Sequence, residues 1–259
     1  MTLDLPARFR ATELWLVDLR SAAGALENVE ALTPRLGPDD EEKIAAISVA
    51  TVRQERRSAY IALRLLVERA FGSGWRRAPY LRSRSGKPSL PGATGAFSLS
   101  HVAGLALIGL SPLATIGVDV ERSRPVRISD ERRRRIEAAA EALSPAAPLP
   151  QAPACRFVQA WVRLEAVAKA EGRGIGPVLA RYGVLRGLGG AEPAASLPRR
   201  PDEAAPGPEA VGLEIHDLRL GEGLFGAVAM TPGQGAPALL DLPHDSAGLD
   251  RLLAEAKGL

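Results

Sequence analysis

Cysteine is almost absent: Cys155 stands alone among 259 residues. No disulfide can form within the chain, and a reducing cytoplasm is the expected setting. Histidine numbers only 3, so the Cys/His cluster that a zinc centre draws on is missing. No apolar run approaches the roughly 20 residues that span a bilayer. The best one, residues 104–110, reads as a buried strand. The first residues carry no basic stretch ahead of an apolar one, so no secretory signal is expected. Neither sign of charge dominates, with 33 Lys and Arg against 30 Asp and Glu. The pI near 9.3 still favours an anionic partner: a nucleotide, a nucleic acid or an acidic protein. What is present is the makeup of a folded domain or pair of domains, with 46% apolar residues and enough of them to bury a core.

Apolar residues 13–19 read as a strand, and Pro38 followed by Asp39, Asp40, Glu41 and Glu42 as a helix start, acids placed where the helix dipole favours them. A long helix is expected over 52–71, ending at Gly72. On it Arg56, Tyr60 and Arg64 recur every fourth residue and share a face. Segments 97–100, 105–110 and 116–121 read as three short strands, resembling an antiparallel meander. Helices follow over 128–143 and 156–171, separated by a Pro/Ala loop over 145–154. After a Gly/Pro/Ala-rich insertion near 187–210 come strands over 211–220 and 224–230. The second half thus repeats the outline of the first.

Asp119 and Glu121 lie two apart on a strand, so both carboxylates leave one face while Val118 and Val120 point into the core. Side-by-side carboxylates repel unless a cation or proton sits between them, and hard oxygen ligands suit Mg²⁺. Trp161, Glu165 and Lys169 form a second stripe, spaced i, i+4, i+8 on a helix; alone, it reads equally well as a surface ion pair. Lys87 sits in a Gly-Lys-Pro turn, and His101 directly follows Ser98-Leu99-Ser100 at a strand end.

In order, Gly86-Lys87-Pro88, Ser98-x-Ser100-His101, Gly117-Val118-Asp119-Val120-Glu121, Trp161-x-x-x-Glu165-Ala166-x-x-Lys169-Ala170 and Gly172-x-Gly174 resemble the 4′-phosphopantetheinyl transferases. The length resembles their larger, surfactin-synthetase-activating type. The resemblance implies an α+β pseudo-dimer of two similar lobes, each a small, mostly antiparallel sheet packed on a long helix. The lobes would divide at 121/122. It implies transfer of the phosphopantetheine arm of coenzyme A to a serine of an acidic acyl or peptidyl carrier protein, releasing adenosine 3′,5′-bisphosphate, by a cytoplasmic monomer. Asp119, Glu121 and Glu165 would hold Mg²⁺, Glu165 would activate the serine, Lys169, Ser100 and His101 would meet the phosphates, and Lys87 would lie near the nucleotide. Arg64, joined by Arg57, would face the 3′-phosphate.

Two departures stand out. The family places Lys before its metal-binding Glu, where this chain has Leu164, and Arg163 lies about 100° away around the helix. Arginines common on the first long helix are replaced by Ala59 and Glu68. Leu164 leaves room for a homologue that binds coenzyme A or a carrier without turnover. A nucleic-acid module resting on the Arg-rich helix lacks interleaved aromatics and is opposed by the three acids.

Overall fold

The computed structural model describes residues 9–92, 95–113, 115–185 and 212–257; the expected insertion near 187–210 lies outside them. The chain runs β1 (Glu13–Asp18), α1 (Ala23–Leu32), α2 (Pro38–Ala45), α3 (Ala50–Phe71), a 3₁₀ turn, then β2 (Leu81–Arg82) and β3 (Pro88–Ser89). There follow β4 (Ala96–Val102), β5 (Leu105–Ser111), β6 (Ile116–Arg122), α4 (Asp130–Leu143), α5 (Pro153–Glu171) and α6 (Ile175–Arg181). The last elements are β7 (Glu214–Arg219), β8 (Leu224–Met230), β9 (Ala238–Asp241) and α7 (Ser246–Lys257). The class is α+β. Among the described residues no helix is long and apolar enough to cross a membrane.

Two sheets carry the architecture, in strand orders β4-β5-β1-β9 and β6-β8-β7. Strand alternation sorts their side chains into layers. Trp15, Val17, Ala106 and Ile108 face a core with α1, α3 and α7, whereas Leu14 and Leu107 turn the other way. There they meet Ile116, Val118, Val120, Val228 and Met230 of the second sheet. The opposite face of that sheet, with Ala227 and Ala229, packs on α5. The order is therefore helix, sheet, sheet, helix. The continuous apolar run of β5 is explained by burial on both faces.

Three expectations change. The three strands over 97–121 do not form one meander: β4 pairs with β5, but β6 leaves and pairs antiparallel with β8. The sheets consequently part before β6. Nor does the second half close on itself. β9 lies parallel to β1, and Leu242, Leu249, Leu252 and Leu253 join the first core. Finally, α5 begins inside the expected loop, at Pro153, because proline at the first helical position loses no hydrogen bond.

Where the sheets meet, two serines replace a backbone ladder. Ser98 Oγ accepts from Val118 N at 3.1 Å and Ser100 Oγ from Val120 N at 3.3 Å. The two-residue spacing of the serines on β4 matches that of the amides on β6. On the other face of β6, Gly117 admits α5: any Cβ there would overlap the backbone of Ala166 and Ala170.

Candidate active site

Close approach at Gly117 sets the height of α5 above β6, and with it the meeting of Asp119 with the helix stripe. Of α5 residues 161–170, only Trp161, Glu165 and Lys169 escape burial, the stripe expected from their spacing. Lys169 Nζ donates to Asp119 Oδ1 at 2.7 Å, and Ser100 Oγ donates to the same oxygen at 2.7 Å. Asp119 is only 5% exposed, and its second oxygen, Oδ2, is buried with no partner. An unsatisfied carboxylate oxygen in that setting costs free energy unless a cation or donor reaches it.

The three acids feel one another. Burial is the main cause that raises Glu165 above the ordinary glutamate range; Asp119 and Glu121 push it further, against Lys169. Glu121 is raised too, mainly by burial and also by Asp119, although Arg124 opposes this. Among the described residues no group of three or more His, Cys, Asp and Glu side chains is gathered closely enough to hold a metal ion. The Lys169 ammonium supplies the positive charge at Asp119. The donor set still fits Mg²⁺, since it is all carboxylate oxygen and one oxygen is both buried and unpartnered.

Glu165 and Lys169 open onto a cavity of about 510 Å³, which Arg56, Lys87, Ser100 and His101 also line. Cations dominate this lining. His101 is held below its ordinary pKa by burial first, then by Arg56 and Lys169, and so stays neutral between them near pH 7.

The residues expected from α3 divide. Arg64 reaches the cavity wall but is already saturated. It pairs with Asp40 at 2.6 Å, donates to Ala78 O at 2.6 Å and lies 3.8 Å from the Tyr80 ring centroid. Arg57 is not among the lining residues; it pairs with Glu27 and Glu41, each at 2.9 Å. The arginine presented to the cavity is its neighbour Arg56, whose buried Nε has no partner and whose Nη1 approaches Tyr60 Oη at 3.3 Å. Its signal was visible in the Arg56/Tyr60/Arg64 spacing. Tyr80, a cavity residue with an unpartnered hydroxyl, gave none, because it sits in an irregular segment.

The departures turn away from the cavity. Leu164 is fully buried in one core with Ile136 and Val178, and Ala59 is fully buried in the other. Glu68 forms a buried pair with Arg35 at 2.8 Å and also bonds Arg76. Arg163, at 0% exposure, grips Asp217 through Nε at 2.8 Å and Nη2 at 2.6 Å, tying α5 to β7. No protein-family model matches the chain, and no curated protein sequence matches it.

Proposed function

We propose that the chain is a Mg²⁺-dependent 4′-phosphopantetheinyl transferase that moves the phosphopantetheine arm of coenzyme A to a carrier-protein serine. One observation carries the reading: the buried, half-satisfied carboxylate of Asp119 lies beside Lys169 and Ser100, which line a cation-rich cavity with Glu165. Asp119, Glu121 and Glu165 would hold the metal, whose role when bound is to neutralise charge on the pyrophosphate. Lys169 and Arg56 hold phosphate oxygens, neutral His101 offers a hydrogen bond, and Glu165 accepts the proton of the attacking serine. The raised pKa of Glu165 suits that last task, since a stronger base takes the proton more readily.

An acidic carrier is supported by a second hollow, about 350 Å³, one of whose lining residues, Arg124, pairs with Glu121. Ile128, Phe157 and Trp161 give it an apolar floor, and Arg124, Arg127 and Arg132 line it as well. Helix α3 outside one sheet and α5 outside the other suit the two-lobed pseudo-dimer, with β9 and α7 as an added return to the first lobe. Both walls of the cavity come from one chain, so a monomer suffices; a cytoplasmic setting accords with these substrates.

A second reading, coenzyme A binding without turnover, is favoured by the Lys169–Asp119 ion pair at 2.7 Å, which sets an ammonium against the carboxylate a metal would use. Intact mass of an apo carrier incubated with coenzyme A and Mg²⁺ separates the two. Transfer adds one phosphopantetheine to the carrier, and both Glu165→Ala and omission of the divalent cation abolish the gain. An unchanged carrier mass alongside retained coenzyme A binding would establish the second reading instead.

A further inference from the structure

Lys87 is a cation of the cavity wall whose ammonium is held by backbone carbonyls of two other elements. The Gly-Lys-Pro turn closes on itself through Ser83 N to Lys87 O at 3.0 Å and Gly86 N to Ser83 O at 2.9 Å. From this turn Lys87 Nζ donates to Ala170 O at 2.9 Å and to Ile116 O at 3.1 Å. Two of its three N–H donors are therefore engaged. Ala170 lies in the last turn of α5, where helical carbonyls lack intrahelical partners and carry the negative end of the dipole. Ile116 opens β6, three residues before Asp119. Beside it, Ser85 Oγ donates to Gly172 O at 2.5 Å. Gly172 closes α5 at φ 66°, and a Cβ there would sit 3.1 Å from Lys87 Cδ. The β2–β3 hairpin thus lies across the cavity as a strap, fastened to the end of α5 at two points.

We infer that Lys87 is a positioning residue and not a phosphate ligand: it caps α5 from across the cavity and holds the β2–β3 strap as a fixed wall of the nucleotide site. The inference rests on the reading of this cavity as a coenzyme A site, and it narrows the expectation that Lys87 lies near the nucleotide to a role in holding the wall. Burial lowers the Lys87 pKa to about 8, with no carboxylate contributing, as expected for an ammonium engaged by carbonyls alone. At neutral pH it retains its proton and the full donor set.

The two roles make different demands on ligands. A phosphate contact matters only to ligands bearing that phosphate; a wall matters to every ligand that fills the site. Binding of coenzyme A, dephospho-coenzyme A and ADP to wild type, Lys87→Met and Ser85→Ala is measured by calorimetry. Hydrogen exchange of residues 81–89 and 168–174 is followed without ligand. Lys87→Met is expected to weaken all three ligands by a common factor of about ten. It should also speed exchange in both segments. Ser85→Ala, an exposed change that keeps the fold, should show the same pattern at smaller size. A loss confined to ligands with one particular phosphate, or exchange unchanged in both variants, overturns the inference. If wild type binds none of the three ligands, the coenzyme A reading fails, and exchange alone then decides whether Lys87 fastens the strap.

Discussion

Helices α3 and α5 both bring charged residues to the same cavity, but in opposite states. On α5, Glu165 and Lys169 line the cavity, and beyond its bond to Asp119 the Lys169 ammonium keeps donors for a ligand. On α3, Arg64 and Arg57 are engaged with Asp40, Glu27 and Glu41, and only Arg56 keeps an unpartnered buried nitrogen. Matching residue types to a motif therefore identifies which side chains are present, whereas hydrogen-bond saturation decides which of them can meet a ligand.

The comparison breaks most visibly at Arg64. Arg64→Ala leaves Asp40, 4% exposed, as a buried carboxylate without its ion partner. A stability loss of about 3–5 kcal/mol is expected in urea unfolding. A small loss with greatly weakened ligand binding would make Arg64 a ligand residue after all. Arg56→Ala should do the reverse: about tenfold weaker coenzyme A binding by calorimetry, with the unfolding midpoint nearly unchanged.

A smaller effect comes from Lys87, at the far end of α5. Burial takes its pKa from 10.5 to about 8. Between those values the unfolded chain carries a proton that the folded chain lacks, so this residue makes stability rise with pH across that window. Wild type should gain on the order of 1 kcal/mol over Lys87→Met between pH 7.5 and 9.5, read from paired urea titrations. A constant difference would show that Lys87 titrates normally. Smallest of all, Arg57→Ala should change coenzyme A affinity by less than about twofold and stability by less than about 1 kcal/mol, because its ion pairs are partly open to solvent. An effect as large as that of Arg56→Ala would erase the distinction between the neighbours.

The pieces of the site that depend on local period were legible in the sequence. Two-residue spacing put Asp119 and Glu121 on one face, and four-residue spacing did the same for Glu165 and Lys169. Long-range choices were not. Nothing in β6 itself says that it pairs with β8 rather than β5, or that Ser98 and Ser100 will hold its amides. Very short elements such as β2, β3 and α6 carry too few residues to show a period, and β9 reveals its place only through β1. Arg57, expected to join Arg64, lies about 100° of helix from the cavity-lining Arg56, and its partners Glu27 and Glu41 show in the structure alone.

The serine seam between β4 and β6 has one more consequence. Each is the outermost strand of its sheet, and a bare outer strand is a template on which another chain can add itself. Turning these two rims toward each other, with hydroxyls on the β6 amides, hides both inside the fold. Among the described residues, β7 and β9 are left as outer rims of the two main sheets, and β9 is a mere four residues long. The joint that brings Ser100 to Asp119 thereby also guards the molecule against strand-by-strand self-association.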